Sequence, residues 1–362
     1  MKKIIAMLSV VLFSFGVAKA GELTITGSAK ASYAITSADG ASGQIDQNKG
    51  LGVSNEFTLG ASGELDNGYT WKYAVDIDSV ESGATNDDAQ LAVTTPQGTF
   101  AIMLGEGGLG VDNAASQSVI SRPSDTSYGE GMFDTFDIDG YDNVQYHTPA
   151  GLLPFGTSIK IGYAPSGKAT EANDHKATGT VNSNVSVADT ASAGGISVTA
   201  KGENATHYQV KMTEIPMAEG LTIGADYFEL SGSVNTADQK VESGAYYATY
   251  AAGPAVIGYS RNFAALPVTG ITTDAVESVE ATKFSVGVNV NDNLSISYEQ
   301  EKSEPNSTNS STAQYEMQST GIQAAYTMGG MTLGVAMNDH ENATYTQNKD
   351  VKDTVFTVEM AF

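Results

Sequence analysis

From residue 22 onward, apolar and polar residues alternate with a period of two. Leu23, Ile25, Gly27, Ala29, Ala31, Tyr33 and Ile35 are apolar or small, with Thr24, Thr26, Ser28, Lys30 and Ser32 between them. The pattern returns in Val53, Phe57, Leu59 and Ala61 against Ser54, Glu56, Thr58 and Ser62. It recurs in Tyr69, Trp71, Tyr73, Val75 and Ile77 against Thr70, Lys72 and Asp76, and in Phe284, Val286, Val288 and Val290 against Lys283, Ser285 and Asn289. Successive side chains of a strand point to opposite faces, so each segment predicts a strand with one apolar and one polar face. No window carries a 3.6-residue stripe over more than two turns. The chain reads as all-β.

The connections alternate in length. Tight turn signals occur at Asp66-Asn67-Gly68, Thr95-Pro96-Gln97-Gly98, Ala252-Gly253-Pro254, Asn291-Asp292-Asn293 and Met328-Gly329-Gly330, with looser ones at 149–156 and 214–220. Between them lie longer polar stretches at 36–50, 79–87, 106–142, 165–203, 231–242, 264–280, 301–313 and 338–352. Seven short turns and eight long loops make sixteen strands. An even number of antiparallel strands, with short turns on one rim and long loops on the other, is the layout of an outer-membrane barrel. A soluble sandwich also alternates, but its strands average about five or six residues, and several here run to about ten or more, enough to cross a bilayer when tilted. Aromatic residues near strand ends, among them Tyr69, Trp71, Tyr163, Tyr227, Tyr259, Phe263, Tyr326 and Phe356, suit interfacial girdles.

Composition narrows the class. The 362 residues include 42 acidic and 18 basic side chains, a formal net charge of −24, and no cysteine. Disulfides and thiolate metal sites are therefore excluded, and the acidic balance argues against a nucleic-acid partner, whose phosphates need neutralising. Lys2 and Lys3, the apolar run Ile4 to Val17, and the small-x-small site Ala18-Lys19-Ala20 predict a signal peptide over 1–20. The barrel domain is then 21–362.

Two segments carry a resemblance. At the C-terminus Phe356, Val358, Met360 and Phe362 form one apolar face, with Thr357 and Glu359 between them. The segment Asp142-Asn143-Val144-Gln145-Tyr146-His147-Thr148-Pro149 resembles the strand that leaves the constriction loop of Gram-negative general-diffusion porins. In layout the whole of 21–362 is similar to the sixteen-stranded trimeric members of that family. The resemblance implies an outer-membrane location and a third long loop folded into the lumen. It also implies an assembly signal at Phe356, Val358, Met360 and Phe362, a homotrimer, and contact with outer-membrane lipid and lipopolysaccharide. The implied function is a water-filled channel for passive diffusion of small hydrophilic solutes and ions. One departure is plain: Arg122 and Arg261 are the only arginines, where many relatives line the pore with a cluster.

Parity assigns Lys30, Glu56, Lys72, Asp76, Lys160, Lys211, Lys283 and Glu359 to the lumen, because Lys or Arg facing lipid at mid-membrane costs about 2–4 kcal/mol. The loop 106–142 holds Glu106, Asp112, Asp125, Glu130, Asp134, Asp137, Asp139 and Asp142 against Arg122 alone. A ring of carboxylates at a narrow point favours cations, so Asp112, Arg122, Glu130, Asp134, Asp137, Asp139 and Asp142 are the candidate constriction. The apolar residues Met132, Phe133, Phe136, Ile138 and Tyr141 predict that this loop packs, whereas 165–203 reads as an exposed external loop. No cofactor is expected. The run Asp137-x-Asp139-Gly140-x-Asp142 offers oxygen ligands for Ca²⁺ but lacks EF-hand spacing, and turn chemistry explains it as well. His147, His175, His207 and His340 are scattered, and no hydrolase motif occurs, so an enzyme is not expected. The alternative function is a surface attachment protein acting through its external loops.

Overall fold

The computed structural model describes residues 22–39, 45–80, 83–125, 132–165, 185–190, 197–202, 204–231, 239–266, 276–307 and 315–362. The signal segment 1–20 and Glu130 lie outside the described residues.

The strands in chain order are β1 (Glu22–Asp39), β2 (Ile45–Glu64), β3 (Thr70–Val80), β4 (Gly83–Thr95), β5 (Gly98–Leu104), β6 (Asn143–His147) and β7 (Ser158–Ala164). Next come β8 (Val185–Thr190), β9 (Ser197–Gly202), β10 (Asn204–Met212), β11 (Leu221–Ser231), β12 (Glu242–Ala252) and β13 (Ala255–Ala265). The last are β14 (Val276–Asn289), β15 (Leu294–Ser307), β16 (Met317–Met328), β17 (Met331–Glu341) and β18 (Asp350–Ala361). All but β8 and β9 join one closed antiparallel barrel of sixteen strands, sealed where β1 pairs with β18. A closed sheet has no edge strand to leave unpaired.

All seven short connections fall where the turn residues predicted. At Asn67-Gly68 the Tyr69 amide donates to the Asn67 side chain, and Gly68 takes a φ of +78°, open to glycine at no steric cost. At 291–293 the Asn291 carbonyl oxygen of the side chain accepts from both the Asn293 and Leu294 amides.

Several long loops are shorter than the sequence pattern predicts. β1 and β2 reach Asp39 and Ile45, β3 and β4 reach Val80 and Gly83, and β15 runs to Ser307. Where both faces of a strand are polar the period-two signal vanishes, yet the backbone ladder continues as long as its hydrogen bonds are paired. Within 165–203, read as loop, β8 and β9 form a separate hairpin.

Parity is as predicted. Leu23, Ile25, Leu51, Val53, Ile322 and Met337 are exposed on the outside, an apolar face suited to hydrocarbon. The terminal residue completes the barrel: Phe362 exchanges both backbone hydrogen bonds with Gly27, at 2.9 and 3.0 Å. Its ring lies 5.6 Å from that of Phe57. A Cβ on Gly27 would sit 2.5 Å from the Glu56 carbonyl oxygen and 3.1 Å from the Phe362 ring. The only apolar core of any size lies inside the barrel among the described residues. There Leu109, Phe133, Phe136 and Ile138 pack on the inward side chains Phe228, Leu230, Val279 and Met317.

Candidate functional site

The connection between β5 and β6 enters the barrel and follows its inner wall over its described residues, 105–125 and 132–142. Gly105 and Gly107, with φ of +67° and +87°, turn the chain inward. The outgoing limb is then bound to one strand after another. Gln209 of β10 donates to the Leu109 carbonyl at 2.8 Å, and the Val111 amide donates to Asp226 of β11 at 3.0 Å. Ser260 of β13 and Ser285 of β14 donate to the carbonyls of Asp112 and Ala115. Ser116 and Ser118 donate to Glu299 of β15, and the Ile120 amide to Gln323 of β16. On the return limb the Phe136 amide donates to Ser243 of β12, and the Phe133 amide to the Tyr345 hydroxyl. Tyr345 belongs to the β17–β18 connection and also bonds Ser303. Asn143, at the start of β6, closes the base by donating to the carbonyls of Glu106 and Tyr141.

Three ionic knots lock the seam. Arg122 holds Asp125 through two hydrogen bonds of 2.8 Å, Asp134 at 2.8 Å and the buried Glu301 at 3.1 Å. Lys283 binds Asn113 and Asp134, the latter at 2.8 Å, with Asp112 at 3.6 Å. His207 spans Asp137 at 3.0 Å and Asp226 at 2.9 Å from its two ring nitrogens. Burial opposes ionisation of Asp134, but Lys283 and Arg122 outweigh it and hold that carboxyl well below the ordinary range. Burial likewise opposes Asp137, and His207 with the Leu109 and Gly110 amides brings it down. Asp112 is different: burial pushes it up to about 7, because Lys283 is too distant to compensate fully.

The open space lies on the other side. Inward residues of β12 to β16 are buried beneath the loop, with Ser243, Ser260, Lys283, Ser285, Glu299 and Glu301 each at 2% exposure or less. On β1 to β3 the inward Thr24, Thr26, Glu56 and Lys72 stay exposed, whereas Ala34, Thr36 and Ala74 are buried. The barrel is therefore half filled and half open.

No protein-family model matches this chain, and no curated protein sequence does. Solved structures do match. A loop-L8 deletion mutant of OmpT, an outer membrane protein of Vibrio cholerae, superposes with a TM-score of 0.64 at 13% identity, over 95% of this chain and all 100% of that one. Salmonella typhi OmpF in complex with daunomycin gives 0.61 at 13%, over 94% and 98%. The anion-selective porin from Comamonas acidovorans gives 0.61 at 12%, over 94% and 100%. The fold is the porin barrel.

Within this porin fold the candidate residues separate into groups. Asp112, Arg122, Asp134 and Asp137 lie in the seam between loop and wall, together with Lys283, which parity assigned to the wall. Asp139 faces solvent, and burial together with the Asp137 charge raises its pKa. Asp142 is partly buried where the loop rejoins β6. Lys30, Glu56, Lys72, Asp76, Lys160 and Lys211 all stand on the inward parity, Lys160 and Lys211 close to the short-turn rim. Both Asp137 oxygens, offered to Ca²⁺ in the sequence reading, accept hydrogen bonds from Leu109, Gly110 and His207.

Other residues of the site were not singled out from the sequence. Glu299 and Glu301 share a face with Ser297 and Ser303, opposite Ile296 and Tyr298. That alternation was readable, but Glu301 fell inside a stretch read as loop. Glu106 joins Asp76 and Asp88, their carboxylate oxygens within 4.8 Å of one another, and Gln90 donates to Glu106 at 2.8 Å. Burial and the Asp76 charge raise the Glu106 pKa. The trio Ser319, His340 and Asp353 is linked at 2.9 and 3.4 Å in the order of a hydrolase triad, but Ser319 has no exposed surface for a substrate to reach.

Proposed function

We propose that this protein is an outer-membrane channel of a Gram-negative bacterium that lets small hydrophilic solutes and ions diffuse passively. The observation that carries the reading is the asymmetric lumen: a loop fastened to β10 through β16 leaves the inward polar residues Thr24, Thr26, Glu56 and Lys72 of β1 to β3 exposed. A barrel of sixteen strands is wide enough to hold an aqueous path beside such a loop. His207, inside the barrel, ties Asp137 of the loop to Asp226 of β11. Ion preference must be argued from side chains, because an anion-selective protein shares the fold. Asp134 and Asp137 are paired with cations, which leaves Asp139 and Glu106 on the loop and Asp76 and Glu56 beside Lys30 and Lys72 on the adjoining strands β1 to β3. The balance favours cations, weakly and most visibly at low salt. A homotrimer, joined through the small outward residues Ala29, Ala31 and Ala61, belongs to the same reading.

Planar-bilayer recording of the refolded protein is the test. Stepwise openings of stable size are expected; silence from heat-modifiable, correctly folded protein would reject the channel in favour of an attachment role for the external loops.

A further inference from the structure

Beneath residues 115–123 of the inserted loop, the wall carries no side chain at four inward positions. Gly258 of β13 lies against the backbone of Ala115, and a Cβ there would overlap the Ala115 carbonyl oxygen. A Cβ on Gly287 of β14 would come within 3.1 Å of the Gln117 Cβ and 3.2 Å of its carbonyl oxygen. On β16, a Cβ on Gly321 would meet the Asn338 side chain of the next strand at 2.6 Å and Pro123 of the loop at 2.7 Å, and on β17, one on Gly334 would meet the Thr357 hydroxyl of the wall and the Ile120 side chain of the loop at 2.8 Å. The four contacts all fall within 115–123 of the loop, on strands β13, β14, β16 and β17. Glycine weakens a strand, so its use here asks for a cause, and close approach of another backbone is the usual one. The hydrogen bonds from Ser285 to Ala115 and from Ile120 to Gln323 hold the loop down onto these bare patches.

We propose that Gly258, Gly287, Gly321 and Gly334 are the positions that set the width of the conducting path, by letting the loop lie flush with the wall. The proposal rests on the channel reading above. A methyl group added under the loop has nowhere to go in a close-packed seam. The wall is fixed by its hydrogen-bond ladder on both sides, whereas the loop faces open space, so the loop moves and the path narrows. The geometry orders the positions. Gly258 is the most restrictive, because it meets backbone. Gly321 follows, against a rigid proline ring. Gly287 is mildest, with contacts that a few tenths of an ångström would relieve.

The test is single-channel conductance of full-length Gly258→Ala, Gly321→Ala and Gly287→Ala, with exclusion of neutral polymers of graded size as a second readout. Gly50→Ala is the control, since nothing lies within 4 Å of its would-be Cβ. Each variant is first checked for heat-modifiable folding. Gly258→Ala should lower conductance on the order of twofold and admit only smaller polymers, as narrowing a polar constriction demands. Gly321→Ala should lower it less, Gly287→Ala least of the three, and Gly50→Ala not at all. If Gly258→Ala does not fold, Gly321→Ala decides. Conductance equal to the parent in folded Gly258→Ala and Gly321→Ala overturns the proposal and leaves the channel standing. A folded parent that never conducts overturns both.

Discussion

Phe362 shows how much a single residue can close. Its backbone pairs with Gly27 and its ring leans on Phe57, so the last rung of β18 and the seal of the barrel are the same contact. The absence of a side chain at Gly27 is part of that contact, and the small outward surface there has this local cause whatever else it serves. Deleting Phe362 removes two ladder hydrogen bonds, each worth about 0.5–1.5 kcal/mol net, and a ring pair of similar size. The expected result is loss of the heat-resistant band on gels with export intact, and Gly27→Val should reproduce it. Asp112 carries the pH dependence of the seam. Its pKa is raised from the ordinary carboxylate value to about 7, so the folded state binds the proton more tightly than the unfolded chain. Stability therefore falls as pH rises from about 4 to about 7 and is level above that. Asp112→Asn should melt higher than the parent at pH 8 and the same at pH 4, by circular dichroism. Lys283 keeps Asp134 and Asn113 as partners in that variant.

At the scale of elements, the strands and short turns were legible because their physics is local. Asn67-Gly68 and Asn291 through Asn293 announce turns in three residues, and alternation announces a strand in six. The ends of β15 and β17 were not, since there both faces carry polar side chains and the hydrophobic period disappears. The loop itself was recognisable from its length, its carboxylates and its aromatics, but its seat was not. Ser116 and Glu299 lie 183 residues apart in sequence, and a glycine under a loop looks, in one dimension, like any weak point of a strand. The misreading that follows concerns charge: eight acids against one arginine suggests a loop full of free carboxylates, whereas the wall supplies Lys283 and His207 to pair them. Asp139→Asn with Glu106→Gln should move the reversal potential across a salt gradient toward zero. Asp134→Asn should instead act on stability, because it strips a carboxylate from buried Arg122 and Lys283; Arg122 keeps Asp125 and Glu301, so the loss is that of charge-assisted hydrogen bonds, about 1.5–3 kcal/mol. A large selectivity change in Asp134→Asn with unchanged melting would reverse these roles.

The molecule as a whole is an asymmetric ring. One arc of wall, β10 through β16, is fastened at many points to the segment inside it, and the opposite arc, β1 to β4, meets it at Gln90 and Ala34 and carries a bulge between Asp76 and Ile77. Amides of β2 to β4 should exchange with deuterium faster than those of β12 to β16 at equal depth in the bilayer. Equal protection around the ring would mean that the fastening adds no rigidity. A loop bound this way works as an internal brace, like a strut welded across one side of a hoop. Lateral pressure from the surrounding bilayer then bends the hoop where it is unbraced. Fluctuations of the aperture arise from the wall rather than from the loop, and a thicker or stiffer membrane becomes a means of tuning the flow of solute.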